Sequence, residues 1–482
     1  VELKMTTVFK PMVANNSSSD GEIRVVNPYD LSVIAQVQTV GGDAIEQALD
    51  TAHKLFLKRE SWLSVTKRVQ VLQQIVKIMT AQADDLTLGA ACEGGKPLLD
   101  SQVEITRAID SFQICLDNLR SQTGQMIPMN INVASENKLA FSIHEPIGVV
   151  VAISAFNHPL NLIAHQIGPA IACGCPVIIK PAEDTPLSCF RLVKIVREAG
   201  LPDEWCQAFL PSSINLATKL VTDTRVAFFS FIGSAKVGWY LKSQLAAGTR
   251  CALEHGGAAP VIIAEDADLK TTIPKILKGG FYHAGQVCVS VQRVFVHQSI
   301  SAEFVKKLKD GAKAQIIGDP TLEQTQVGPL IRPAEVIRIK KWLDEAIDEG
   351  AELITGGNKI SDTCLQCTVL YNPSPNSKVS KNEIFGPVIC VYPYNDIKQA
   401  ISQANDIPYA FQAAVFTNNI RTANIAFKNL NASAVMINDH SAFRVDWMPF
   451  AGLKESGLGI GGIPYTMDAM QIKKMLVLDA VL

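Results

Sequence analysis

The chain has 482 residues, 48% of them apolar and 19% charged, and its 44 Lys and Arg against 46 Asp and Glu give a formal net charge of −2. That apolar share can build a sizeable core and excludes disorder over most of the length, and the near-zero charge argues against a nucleic-acid binder, which needs a basic surface. At about 100–200 residues per domain, two to four domains are expected.

No apolar run approaches the roughly 18 residues of a membrane span; the stretches Gly148–Phe156 and Ala170–Ile179 are far too short. The N-terminus has no charged-then-apolar leader pattern. Residues 1–4 stand ahead of Met5 and are expected to be an addition to the natural start, and the expected compartment is the cytoplasm, with no membrane partner. The 11 cysteines are odd in number and follow no secreted framework. Cys364 and Cys367 form a CxxC in a strand-like run without a second pair or a His set, so they read as packing and no metal is expected.

In chain order, helix stripes run over Asp43–Leu57 and Val65–Met79. The run Gly148–Ile153 reads as a buried strand, and Pro176–Ile179 leads into a second. A helix follows, with Thr185 as its N-cap, Pro186 in the first turn and Gly200 after its end. Val226–Ile232 is strand-like and Ser234–Ala247 helical. The second half continues with strands at Pro260–Ala264 and Val291–His297, and helices at Leu269–Lys278, Ala302–Ile316 and Arg332–Glu349. Further strands fall at 387–392, 411–417 and 432–438. Short buried strands alternating with helices predict an α/β protein with two parallel sheets in tandem. The polar stretch Gln122–Phe141, with a turn-like Ala134–Asn137, reads as a hairpin leaving the main body.

A GxGxxG match spans Gly457–Gly462, but no strand–helix unit surrounds it, and it reads as a glycine-rich loop. A better phosphate cradle is Gly233-Ser234, which follows a strand and opens a helix whose free N–H groups can face an anion. Lys180 and Glu183 follow the strand ending at Ile179, where ligands sit in open α/β sheets. A carboxylate there can accept both ribose hydroxyls and repels a 2′-phosphate, which favours NAD over NADP; a charged loop is the plainer alternative. Cys288 lies in a glycine-containing bend between helix and strand, which can present a nucleophilic thiolate to a carbonyl. Glu254, beside Gly256 and Gly257, has the setting of a general base. Asn157, after the 148–153 strand, can donate to a developing oxyanion.

Together these segments strongly resemble the aldehyde dehydrogenase superfamily. The motifs are EPIGVVVAISAFNHPLNL (145–162), KPAEDTP (180–186), FIGSAKVG (231–238), LEHGG (253–257), GQVCVSVQR (285–293), EIFGPV (383–388) and MPFAGLKESGLG (448–459). The resemblance implies two Rossmann-type α/β domains plus a β-hairpin bridging flap. It places an NAD-binding domain at 1–121 and 142–252, a catalytic domain at 253–455, and bridging segments at 122–141 and 456–482. It implies oxidation of a small-molecule aldehyde to the acid. Cys288 forms a thiohemiacetal, Asn157 and the Cys288 N–H hold the oxyanion, hydride passes to NAD, and Glu254 activates water against the thioester. It assigns Lys180 and Glu183 to the adenosine ribose, Gly233 and Ser234 to the pyrophosphate with Phe156 beside them, Glu383 to the nicotinamide ribose and Phe385 to the nicotinamide. The flap and the final strand near Ile472–Leu482 imply a homodimer or homotetramer. The alternative is a member of the fold serving as an NAD-independent thiol esterase or a silent binding protein.

Several positions depart from the pattern. Ala258 and Gln166 stand where Lys is common, Ile472 where an acidic residue is common, and a basic residue is missing near Ile460. The joint change at Gln166 and Ile472 puts a proton route away from the base in doubt. His158 and His283 are unusual, and a His can take over proton transfer near neutral pH. The segment 437–450 resembles the lactaldehyde and non-phosphorylating glyceraldehyde-3-phosphate dehydrogenase branch. Phe443 and Trp447 are expected to wall the substrate tunnel. Arg444 reads either as a holder of an anionic tail or as a surface residue paired with Asp446.

Overall fold

The computed structural model describes residues 7–15 and 19–479. Residues 1–4, read as an addition ahead of Met5, and the end of the final strand, 480–482, lie outside the described residues.

Two sheets organise the chain. In the first, the strand order is Gly457–Leu458, Arg250–Glu254, Val226–Ile232, Val149–Ile153, Val177–Lys180, Cys206–Ala208. All its pairings are parallel except the short antiparallel edge strand 457–458. In the second, the order is Glu352–Thr355, Thr368–Tyr371, Val388–Tyr394, Val291–His297, Ala259–Ile263, Gln412–Phe416, Ala434–Ile437, parallel apart from its first pair. Val149–Ile153 and Gln412–Phe416 are buried at every residue. That explains why their sequences are continuous apolar runs rather than alternating ones: helices cover both faces. Each sheet carries its own large core, around Val150, Ile167 and Phe112 in the first and around Val294, Ile339 and Val391 in the second.

The hairpin is present, in a three-stranded antiparallel sheet with Lys138–Pro146 in the middle, Gln125–Ile127 on one side and Gln471–Asp479 on the other. Ile472 lies in this sheet opposite Glu145. Met475, Leu476, Val477 and Leu478 leave apolar surface exposed along its edge strand.

Two sequence readings change. The strand expected around the CxxC is only Thr368–Tyr371, with Cys364 and Cys367 buried in the segment before it. The helix expected to be capped by Thr185 runs Leu187–Glu198 and is capped from elsewhere. The Glu93 carboxylate, fully buried, accepts the Leu187 and Ser188 N–H groups, each at 2.7 Å. A carboxylate at a helix N-terminus satisfies orphan donors and complements the dipole. The Thr185 hydroxyl donates instead to the Phe156 carbonyl, 3.2 Å away, and ties down the loop after Val149–Ile153.

That loop has a second anchor. Glu104, buried on the long helix Leu98–Ser121, pairs with the buried Lys96. Its other oxygen accepts the N–H groups of Leu160 and Asn161 at 2.9 and 3.1 Å. Removing one partner of such a pair strands a buried charge. Lys96→Met is therefore expected to lose about 3–5 kcal/mol, read as a lower urea midpoint; a loss below about 1 kcal/mol would show that the pair is not what holds this corner.

Candidate active site

Strand order in the first sheet reverses between Val149–Ile153 and Val226–Ile232. At such a switch point the loops leaving the carboxyl ends diverge, and a ligand crevice opens. A cavity of about 720 Å³ lies there. The structure brings to its wall Asn157, Glu254 and Cys288, the seven residues expected at a dinucleotide (Phe156, Lys180, Glu183, Gly233, Ser234, Glu383, Phe385) and Arg444.

The dinucleotide half is built from strand ends. Lys180 closes Val177–Lys180, and its ammonium pairs with Glu183 at 2.5 Å. Partial burial, the largest single influence, opposes ionisation of Glu183, but the charge and hydrogen bond of Lys180, its own backbone N–H and Arg332 together hold the carboxyl below its ordinary value. Gly233 and Ser234 follow Val226–Ile232 and lead into the helix Ala235–Ser243. The Ser234 hydroxyl caps no N–H of that helix, so hydroxyl and helix terminus both remain available at the cavity wall. Glu383 supplies a further acceptor: its Oε1 is buried with no hydrogen-bond partner among the described residues, and burial pushes its carboxyl up to about 8. An orphaned acceptor in a cavity calls for a donor from a ligand, and a ribose hydroxyl is such a donor. Phe385 has a left-handed φ of 50° and meets Phe156 edge-on, with ring centroids 5.8 Å apart. Strain of this kind persists where surrounding structure over-determines it, as it does at ligand sites. These residues fit a nicotinamide dinucleotide.

In the reactive half, Cys288 lies in a turn between the short helical segment Tyr282–Gly285 and the strand Val291–His297. Burial pushes its thiol up to about 12; Arg444 opposes that rise, while Glu383 and Glu254 add to it. The isolated site therefore holds a thiol, where the sequence suggested a ready thiolate. Asn157 is 6% exposed, and its Nδ2 donates to the Gln286 carbonyl at 2.9 Å. An amide nitrogen carries two hydrogens, so the second is left for an oxyanion. Glu254 ends the strand Arg250–Glu254. Burial raises its carboxyl, and Arg444 partly offsets the rise.

Several supporting residues escaped sequence reasoning. Gln286 fastens the turn that holds Cys288: its Oε1 accepts the Ile331 N–H at 2.9 Å, and its Nε2 donates to the His283 and Pro329 carbonyls. The only signal was its place two residues before Cys288. The glycine-rich loop also serves the site. A Cβ on Gly461 would sit 2.2 Å from Glu254 Oε1, and one on Gly256 1.7 Å from Glu383 Oε1, so both carboxylates occupy space that only glycine leaves open. Gln166 donates to the Ile153 and Ser230 carbonyls, which makes it a brace between two strands. Buried Ala258 offers its carbonyl to Arg293.

Other expectations are corrected. Phe443 and Trp447 do not wall the cavity; they are 44% and 57% exposed. Arg444 is no surface residue: its side chain is 11% exposed, and its approach to Asp446 is a distant 3.9 Å. His283 is fully buried with neither ring nitrogen partnered, and His158 faces the Tyr282 hydroxyl at 3.4 Å. Burial holds both rings well below their ordinary value, so they stay neutral and neither is set to carry a proton near pH 7.

A model of the aldehyde dehydrogenase family matches residues 15–476, and the chain belongs to that family. It is an NAD(P)-dependent aldehyde dehydrogenase, an oxidoreductase. Among its relatives is a 3-sulfolactaldehyde dehydrogenase of Priestia aryabhattai, 35% identical over 95% of each chain. Solved structures include aldehyde dehydrogenase 21 of Physcomitrella patens in complex with the reaction product succinate. It has a TM-score of 0.94 and 33% identity over 98% of each chain. The glyceraldehyde-3-phosphate dehydrogenase GapN of Methanocaldococcus jannaschii, complexed with NADP, has a TM-score of 0.91 and 34% identity, over 96% of this chain and 100% of that one.

Two measurements check this geometry. With a thiol pKa of about 12, the thiolate fraction at Cys288 grows about tenfold per pH unit throughout the neutral and mildly alkaline range. Alkylation of Cys288 in the cofactor-free protein, followed by peptide mass spectrometry, should rise with that slope from pH 7 to 10; a plateau near pH 8 would contradict it. Gly461→Ala should displace Glu254 and lower kcat by about 100-fold, the lower end of what a positioned acid–base group contributes, with an unchanged melting temperature. A kcat within threefold of the parent would refute the packing argument.

Proposed function

We propose that the chain oxidises an aldehyde to its carboxylic acid through an acyl thioester on Cys288, with water as the final acyl acceptor. The observation that carries this reading is the convergence of a thiol, an amide donor and a carboxylate on one cavity with a dinucleotide cradle. The Cys288 sulfur attacks the carbonyl carbon, and the thiol proton leaves to solvent. The carbonyl oxygen becomes an oxyanion stabilised by Asn157 Nδ2 and the Cys288 backbone N–H. Lys180, Glu183, Gly233, Ser234 and Glu383, beside Phe156 and Phe385, would hold NAD, which would supply the hydride acceptor. Loss of hydride converts the thiohemiacetal to a thioester. Glu254 then takes a proton from water, which attacks the acyl carbon and releases the acid and the Cys288 thiolate. The balance is aldehyde, NAD and water consumed, and acid, NADH and a proton formed.

The charged Glu183 carboxylate at the cavity wall supports NAD over NADP, because it repels a 2′-phosphate. The Lys180–Glu183 pair and the free Ser234 hydroxyl favour a dehydrogenase over a cofactor-independent thiol esterase. The exposed apolar edge of the flap supports a homodimer or homotetramer joined through that sheet.

Absorbance at 340 nm with NAD and a panel of aliphatic, hydroxy-, aromatic and acidic aldehydes tests the reading. Glu254→Gln should give one NADH per site and then stop, while full turnover in that variant would remove Glu254 from the mechanism. Cys288→Ser should abolish oxidation yet still bind NAD by calorimetry. Oxidation surviving at more than about 1% of the parent rate would exclude Cys288 as nucleophile, since loss of a nucleophile costs several orders of magnitude.

A further inference from the structure

A second cavity, of about 580 Å³, shares no wall residue with the active site. It lies between the helices Ala83–Gly94 and Leu187–Glu198 and the parallel strands Thr7–Phe9 and Val33–Val40. Its volume falls within the roughly 300–1,000 Å³ of small-molecule sites. Phe9, Ile34, Leu86, Leu187 and Ile195 give it an apolar lining. Such sites combine apolar walls with a few polar groups that orient a ligand.

Arg191, on the helix Leu187–Glu198, is the polar group set among these apolar ones. Its guanidinium lies against the backbone of Gly89 on the facing helix, where a Cβ would sit 1.8 Å from Nη1 and 3.0 Å from Cζ. Arg191 has no hydrogen-bonded or ionic partner among the described residues, and its Nη1 is buried in that notch. Packing, and no bond, therefore fixes the group. The Nε–Nη2 edge is the fork that meets a carboxylate with two parallel bonds.

The carboxylates nearby do not serve as that partner. Glu93 accepts the Leu187 and Ser188 N–H groups at 2.7 Å each, and burial lifts its carboxyl to about 7, so it gives Arg191 only part of a counter-charge. Glu198 turns to Lys194, 3.7 Å away. Asp85 is exposed, where solvent and salt screen its charge. The Lys194–Glu198 pair cancels, so the wall offers one cation, which matches a single negative charge better than a dianion.

We propose that this cavity binds a small carboxylic acid with an extended apolar body, the carboxylate meeting Arg191 and the body lying on Phe9, Ile34 and Leu86. The site is independent of the oxidation proposed for Cys288.

Cys92 makes the proposal measurable. It stands in the same wall, three residues along the helix from Gly89, and is partly exposed. The whole protein is alkylated with iodoacetamide at about pH 9 in the presence of octanoate, 1-octanol or acetate, and peptide mass spectrometry reads Cys92 and Cys288 separately. Octanoate should protect Cys92 at about tenfold lower concentration than octanol, the worth of one charge-assisted pair. It should protect at least about 100-fold better than acetate, which lacks the apolar body. Arg191→Met should erase the advantage over octanol without lowering the melting temperature. Gly89→Ala keeps the charge but fills the notch, and should reduce the advantage by about threefold or more. Burial raises the Cys92 thiol and Arg191 opposes the rise, so each variant is compared with itself, with and without the acid. Calorimetry gives a second reading that needs no reaction at Cys92: octanoate binding should weaken about tenfold in Arg191→Met. Protection of Cys288 alone would place the acid in the active site and overturn the proposal. Equal protection by octanol or by acetate would also overturn it, as would octanoate binding that survives Arg191→Met unchanged.

Discussion

Val149–Ile153 and Val226–Ile232 are hydrogen-bonded neighbours, and the chain leaves them in opposite directions across the sheet. The crevice between the departing loops is the constraint on which the rest depends. One loop carries Phe156 and Asn157, the other Gly233 and Ser234, and the adjacent strands end at Lys180 and Glu254. The second sheet then has one task at this crevice, to bring the turn holding Cys288 and the segment holding Glu383 and Phe385 against it. Buried polar groups do the fastening. Glu104 grips the backbone at Leu160 and Asn161, Thr185 grips Phe156, and Asn157 grips the Gln286 carbonyl two residues before Cys288.

The electrostatics follow from closing these elements over a poorly hydrated space. Burial raises the Cys288 thiol and the carboxyls of Glu254 and Glu383, all in the direction that suppresses negative charge. Asp446 is the exception. Burial alone would raise its carboxyl, but His165 and Arg107 hold it far below the usual carboxylate range. That arrangement keeps Asp446 ionised where it organises cations, and disfavours charge on Cys288 and Glu254 in the reactive half.

Much of this was legible in the sequence. The strands Val226–Ile232 and Val291–His297 have the expected bounds because each is rich in β-branched and aromatic residues and has clear ends. Glu254, Asn157, Phe156, Lys180, Glu183, Gly233 and Ser234 lie on one cavity because they end or follow strands, and strand ends can be read from local pattern; Cys288, Glu383 and Phe385 reach it from segments that precede strands of the second sheet. What was not legible is long-range. Thr185 looked like a cap, but Glu93 fills that place from a helix far away in the chain. Phe443 and Trp447 looked like tunnel walls because of their size, yet the turns of the 441–447 segment point them outward. Arg444 was ambiguous because its environment depends on Arg107 and His165 occupying Asp446. The glycines at 457–462, read as a loop, begin with the edge strand Gly457–Leu458, and nothing in their sequence marked the space in which the Glu254 carboxylate sits.

The central claim is that acyl transfer passes through the Cys288 sulfur with Glu254 releasing it. Mass spectrometry of Glu254→Gln, mixed with NAD and an oxidisable aldehyde and digested under acid conditions, measures this directly. The account predicts an acyl-mass adduct on the peptide containing Cys288 that accumulates with the first equivalent of NADH. An unmodified Cys288 after that equivalent has formed, or an adduct on another of the cysteines, would contradict it.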